Sequence, residues 1–258
     1  MKTIYNRIKY QLKIINRAFE LVLFDMKSSG SRSFLGMAWI TLGFSVFIFC
    51  KSFLFSNIFE DDLYSYTLYL TSGLMTWYFL SGITSDGCNL YRNKGVLKQI
   101  LFPNNFFLYY LLIRRFFDFL LQSLIFFGIV IFSFNFEISI GLFLLNISVV
   151  CITSYYMIYN LSAIGMLSKD FSIMVGYVLR VIFFLTPVFW KTDMISKDLD
   201  LVYLINPYYH FLELFRNPLL GESVRLINYQ YCFIFFILNL IIYKFFLKKI
   251  TIKHALYI

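Results

Sequence analysis

Long stretches without a single charge alternate with short basic or acidic segments along this chain. Phe34 to Cys50 is charge-free, and Ser52 to Phe59 continues the run after Lys51. Leu63 to Ser85, Phe119 to Phe136 and Ile138 to Ser168 follow, then Phe171 to Trp190, interrupted only by Arg180, and finally Leu226 to Tyr243. A spanning helix needs roughly 20 mostly apolar residues. In hydrocarbon each backbone N–H and C=O must find its partner within the segment, so such runs must be helices. The pattern predicts an all-α, polytopic membrane protein with six transmembrane helices, at 34–59, 63–85, 114–136, 138–168, 171–190 and 226–247, in a single domain over 1–258.

The segment 1–33 follows a different rhythm. Ile4, Ile8, Leu12, Ile15, Phe19, Val22 and Met26 recur every three or four residues, while Lys2, Lys9, Lys13, Asn16, Arg17 and Glu20 occupy the other faces. That spacing describes an amphipathic helix lying on an anionic lipid surface; a helix packed on a protein partner is the alternative. The segment lacks the compact apolar core of a cleavable signal.

Composition sharpens the class. Of 258 residues, 60% are hydrophobic and 14% charged, whereas a soluble domain carries about 25% charged residues. The net charge of +9 alone suggests nucleic acid, but its distribution says otherwise. Basic residues gather in 1–33, around Arg92, Lys94 and Lys98, at Arg114 and Arg115, and at Lys244, Lys248, Lys249 and Lys253; the turns after spans one and three carry Glu60, Asp61, Asp62 and Glu137. The positive-inside rule places both termini in the cytoplasm, in keeping with an even number of spans. Cys50, Cys88, Cys151 and Cys232 form no CxxC pair and read as small buried apolar residues, so no disulfide framework or metal site is expected.

Reactive chemistry is sparse. The chain lacks GxxxxGK[ST], HExxH and GxSxG, and has two histidines, His210 and His254. Proton- or sodium-driven carriers usually carry intramembrane acids. Here Asp118 is the strongest candidate, and Arg114, four residues earlier on the same face, is its expected partner. No catalytic residues are assigned, and the driving force for transport is expected from elsewhere.

Three regions carry candidate function. The inner loop from Asp86 to Pro103 contains Asn93, a cap for a short helix bearing Val96, Leu97, Ile100 and Leu101 beside Lys94 and Lys98, a face suited to docking on a soluble partner or to resting on lipid head groups. The outer segment 191–225 is too apolar for an exposed loop: Asn206 and Pro207 read as an N-cap and first-turn proline, and Pro218 and Gly221 as the helix end. Two short helices dipping back into the outer leaflet fit this segment; an ordinary interfacial helix is the alternative. Arg180 either faces a cavity, a partner or the bundle interior, or snorkels to the head groups. Among the abundant aromatics, Trp39, Trp77, Tyr78 and Phe79 are candidates for stacking weakly on pyranose faces along a glycan path.

Four stretches in order carry a resemblance. They are Phe34-Leu-Gly-Met-Ala-Trp39, Tyr69-Leu-Thr-Ser-Gly-Leu-Met-Thr-Trp77, Asn93-Lys-Gly-Val-Leu-Lys-Gln-Ile-Leu-Phe-Pro103, and Thr186-Pro-Val-Phe-Trp190 followed by Ile205-Asn-Pro-Tyr-Tyr-His-Phe-Leu-Glu-Leu-Phe-Arg216. Over almost its whole length the chain resembles the membrane subunits of ABC-2 type exporters of O-antigen, capsule or teichoic-acid polymers. One departure is Ile40-Thr-Leu-Gly-Phe44, where many relatives have a proline; Gly43 still permits a bend. The resemblance implies a homodimer with two copies of a cytoplasmic ATPase, which would hold the ATP and magnesium, this chain binding no cofactor. It implies a channel between the two copies, cargo in the form of a lipid-linked polysaccharide, O-antigen-like, and a place in the cytoplasmic (inner) membrane. It also implies that Asn93 to Leu101 lie near the ATPase-docking helix and that Pro187, Asn206, Pro207, Glu213 and Arg216 belong to an outer gate.

Two other functions remain at this stage. A membrane-embedded glycan-modifying enzyme would draw on Asp193, Asp198, Asp200, His210 and Glu213. An ion-coupled carrier would need more intramembrane charge than the chain offers.

Overall fold

In a computed structural model, the described residues are 2–31, 38–90, 103–131, 138–194, 196 and 200–244. They are helical almost throughout, with α1 at Lys2–Ser31, α2 at Ala38–Phe59, α3 at Leu63–Asn89, α4 at Asn104–Ile131 and α5 at Ile140–Leu167. The remaining helices are α6 at Lys169–Leu185, α7 at Asp200–Leu204, α8 at Pro207–Leu219 and α9 at Leu226–Ile242. The expected docking residues Asn93, Lys94, Val96, Leu97, Lys98, Ile100 and Leu101 lie outside the described residues.

The bundle is built around α3. It packs against α2, α4, α5, α6 and α8, and from Leu70 to Trp77 every residue is buried. Its hydroxyls stay satisfied without water because Thr71, Thr76 and Thr84 donate back to the carbonyls of Thr67, Ser72 and Leu80, a bond available to small hydroxyl residues inside helices. The apolar surplus lies outside. Leu42, Val46, Phe49 and Phe53 on α2, Leu144 and Leu145 on α5, Val181 and Phe184 on α6, and Phe233 and Ile234 on α9 are all exposed. A belt of this kind belongs in lipid, and α2 and α5 each have the length and continuous apolarity to cross a bilayer.

Helix boundaries differ from the charge-free runs at two places: α6 ends at Leu185, short of the run's end at Trp190, because Pro187 cannot continue the helix, and the connection between α3 and α4 is shorter than the runs imply. Asp86 was expected in the inner loop, but α3 continues through Asn89; the third span was expected from 114, but α4 already begins at Asn104. Charges were read as ends of spans, yet these lie within helices because they neutralise one another. Arg115 pairs with both Asp86 and Asp118, and Arg114 reaches Asp118 at 3.7 Å.

The amphipathic N-terminal helix lies along α4. Ile14, Ala18, Val22 and Met26 are buried, and the Tyr110 hydroxyl donates to the Asp25 carboxylate at 2.6 Å. Ile8, Leu12 and Phe19 remain exposed. Phe19 still meets Phe117 of α4 at 5.7 Å, so Ile8 and Leu12 form the free apolar stripe beside the face held against protein.

Candidate functional site

Helix α6 stops where Pro187 removes a backbone donor. Residues 187–190 then run as irregular backbone through the bundle, and carbonyls there need partners from elsewhere. Side chains of α3 and α8 supply them. The Tyr66 hydroxyl donates to the Phe189 carbonyl at 2.6 Å, and that of Tyr69 donates to Trp190 at 2.8 Å while lying 3.2 Å from the Pro187 carbonyl. Arg216 Nη2 donates to the Val188 carbonyl at 3.3 Å. Three of the four carbonyls of this strap thus accept from two tyrosines and one arginine, and the Pro187 carbonyl shares the Tyr69 hydroxyl.

Arg216 is itself buried, 2% exposed. Its guanidinium carbon sits 3.8 Å from the centre of the Tyr69 ring, and Nη1 lies 3.6 Å from the Glu213 carboxylate one turn earlier. Cation–π stacking and an ion pair together offset its desolvation. Gly73 makes the arrangement possible: a Cβ there would overlap Arg216 Nη2 and lie 2.8 Å from the Val188 oxygen.

The short helices follow from local chemistry. Asn206 caps α8, its side chain accepting from the Tyr208 N–H, with Pro207 at the first position. The same side chain donates through Nδ2 to Thr186 Oγ1 at 2.7 Å, joining α8 to the start of the strap. Pro218 lies inside α8, so the Leu214 carbonyl loses its helical donor; Asn146 Nδ2 of α5 donates to it at 2.7 Å. Gly221, at φ 73°, makes the turn that follows. From Tyr209 to Leu219 every residue except Glu213 is buried, so α8 is inserted among α3, α5 and α9. Pro187, Asn206, Glu213 and Arg216 are thereby brought together around the strap, while Pro207 lines a separate small cavity with Thr153, Met157 and Phe235. Tyr66, Tyr69 and Gly73 complete the cluster; Tyr69 and Gly73 fall in the second resemblance stretch but carry no expected role, and the pair of tyrosines three residues apart, facing a Thr-Pro break, is the signal that could have found them.

A cleft of about 960 Å³ opens between α2, α3, α4 and α6. Trp77, Tyr78 and Phe79 of α3 all line it. Trp77 is wedged between Phe183 at 5.2 Å and Tyr208 at 5.5 Å, and Phe79 packs into Phe119 and Phe215. Tyr78 is 40% exposed and meets Phe44 edge-on. Trp39 differs: it is 59% exposed and does not line the cleft, because neighbouring positions on a helix point about 100° apart and Ile40, Gly43 and Phe47 occupy the facing stripe. Past the aromatic part the lining turns polar, with Ser81, Ser85, Asp86, Arg115, Asp118, Gln122 and Arg180.

Of the residues considered for catalysis, His210, Asp200 and Glu213 are otherwise engaged, and Asp198 lies outside the described residues. His210 is fully buried, its ring nitrogens 2.7 Å from the Leu204 carbonyl and 2.8 Å from the Asn228 side chain, and it stacks on Tyr231. Asp200 accepts from the Tyr203 hydroxyl, and Glu213 pairs with Arg216. Among the described residues no three acids, histidines or cysteines converge as a metal site would require.

A helical bundle with an apolar belt, an irregular strap held in its interior and an amphipathic cleft is the membrane-embedded part of a transporter. The model of the ABC-2 type transporter family matches residues 19–220, and the chain belongs to that family. It is also similar to two proteins of Klebsiella pneumoniae, each described as an O-antigen export system permease protein, RfbA. One is 22% identical over 246 residues and the other 24% over 250, in both cases across 92% of this chain and 92% of the relative.

Proposed function

We propose that this permease exports a lipid-linked, O-antigen-like polysaccharide across the cytoplasmic membrane, driven by ATP hydrolysis in a separate subunit. In this reading two copies assemble with two cytoplasmic ATPases, six spans cross the inner membrane with both termini inside, and α7 and α8 re-enter the outer leaflet around the strap. The carrying observation is similarity along nearly the full length to relatives named for O-antigen export. The cleft lends support: its aromatic lining offers flat apolar faces to sugar rings, and its walls come from four separate helices whose relative shifts would change its width.

Deleting the gene should abolish surface polymer while lipid-linked polymer accumulates inside, and the intact gene should restore export. In proteoliposomes, the permease alone should move no glycan, and addition of the ATPase with ATP and magnesium should start transport. Glycan transport by the permease alone would refute the reading.

A further inference from the structure

Two cations stand inside the bundle without a counter-charge. Lys51 of α2 lies one turn after Phe47, which lines the cleft, and one turn before Phe55; its Nζ is 5.6 and 5.2 Å from the centres of those two rings. Arg180 of α6 lines the cleft itself, and its guanidinium carbon is 5.3 Å from the centre of the Tyr177 ring. Among the described residues Arg114 and Arg115 pair with Asp118, Arg115 also with Asp86, Lys191 with Asp61 and Arg216 with Glu213. Neither Lys51 nor Arg180 belongs to such a pair.

The strap sets both cations at one level. Helices α2 and α6 run toward it, and Lys191, just after the strap, pairs at 2.6 Å with Asp61, just after α2. Phe189 of the strap meets Phe55 with ring centres 5.8 Å apart and Phe184 at 6.2 Å. Lys51 precedes Phe55 by four residues, and Arg180 precedes Phe184 by four. Each cation thus stands one turn, about 6 Å, below a residue that touches the same ring. Lys51 is also about 12 Å short of the end of α2 at Phe59, and its Nζ stays between two rings rather than reaching for the surface. Aromatic faces soften the cost of such charges but do not neutralise them. Cations within a membrane mark a path or a partner, and rings of Lys and Arg select anionic passengers in pores. Both side chains are donors only, suited to carboxylate or phosphate oxygens. We propose that the polymer this permease exports is acidic, its repeat carrying carboxylate or phosphate groups that Lys51 and Arg180 meet just below the strap. This deepens the export reading above and rests on it.

The first test is chemical: polymer purified from the cell surface should contain carboxylated sugars or phosphodiesters, and a neutral polymer would overturn the proposal. The second uses the full-length permease in phosphatidylcholine nanodiscs and measures binding of fluorescent oligogalacturonate, oligo(glycerol phosphate) and neutral maltohexaose. At least one acidic probe should bind about tenfold or more tighter than maltohexaose, as hydrogen bonds to charged groups allow, and the tighter of the two identifies the acidic group. Lys51→Gln combined with Arg180→Gln should remove that preference, and Lys51→Arg combined with Arg180→Lys should keep most of it. Lys51 is half-buried and Arg180 exposed, so both pairs should preserve the fold, checked by gel filtration. Lys9 and Lys13 are exposed on α1, and Lys9→Gln with Lys13→Gln should leave the preference intact. Equal binding of acidic and neutral probes by the unaltered protein would overturn the proposal, as would a preference that survives loss of Lys51 and Arg180 or vanishes with Lys9 and Lys13, which would mark attraction to the surface. The export reading fails separately. If gene deletion abolishes surface polymer but that polymer is neutral, the acidic-cargo proposal falls and export stands. If oligogalacturonate binds through Lys51 and Arg180 while the deletion strain exports normally, export falls and the acidic-glycan site stands.

Discussion

Gly165 sits where the end of α3 crosses α5. A Cβ there would overlap the Cys88 carbonyl oxygen and lie 2.8 Å from its carbon, and the oxygen already accepts from Ser172 Oγ at 3.3 Å. Gly165→Ala should therefore force the helices apart and cost about 1–3 kcal/mol, the range for overpacking, read as a lower thermal midpoint in detergent. Gly176→Ala, with free space around it, should raise the midpoint slightly, since alanine favours a helix interior by about 0.5–1 kcal/mol over glycine. Arg216 poses the opposite problem, a deletion. Arg216→Ala would leave Glu213 without its ion-pair partner and the Val188 carbonyl without its donor, costing about 3 kcal/mol by analogy with other broken buried pairs. Arg216→Lys should recover only part, since an ammonium cannot stack on Tyr69 as a planar guanidinium does.

At the scale of elements, helix ends carry the testable consequences. Asn206 serves α8 twice, as N-cap and as the link to Thr186. Asn206→Ala should cost about 1–2 kcal/mol and speed amide exchange at Tyr208. Asn206→Asp should keep the cap and lose only the Thr186 link. Asp62 caps α3, accepting from the N–H and hydroxyl of Ser65 at 2.9 and 3.1 Å. The Ser65 backbone N–H, followed by its hydroxyl, holds the carboxyl below its ordinary value of 3.8. A carboxylate with a lowered folded pKa stabilises above its unfolded value and loses that contribution as pH falls through the folded one. The protection of the Ser65 amide, its exchange rate relative to the intrinsic rate at the same pH, should thus hold steady at neutral pH and fall only well below about pH 4, and Asp62→Ala should lower that protection at neutral pH and remove its fall in acid.

Across the whole molecule, what could be read in advance followed how local the cause was. The all-helical membrane architecture was legible because apolar runs of this length have no other stable form in lipid. The cap at Asn206 and Pro207 was legible because its cause lies within three residues. The Asn89 end of α3 and the Asn104 end of α4 differ from the expected bounds because Asp86, Arg115 and Asp118 neutralise one another across two helices, a relation that linear order hides. Tyr66 and Tyr69 were invisible for another reason: in a chain of 20 tyrosines none stands out, and their partners are backbone carbonyls, which leave no mark in sequence. The docking prediction also belongs to this scale. Leu97→Asp and Leu101→Asp should abolish export and ATPase capture in a pull-down while leaving the permease at normal levels in the membrane; undiminished capture would refute the docking assignment.

One consequence of the long α3 concerns leverage. Its 27 residues make a beam about 40 Å long, with Tyr66 and Tyr69 near one tip and Asp86 and Asn89 at the other. Pivoting it by about 5° would swing a tip by roughly 3.5 Å, more than a hydrogen bond tolerates. A slight rocking at the Asn89 end would thus shear both tyrosine anchors in one stroke, letting go of the strap at a distance with no messenger but stiffness.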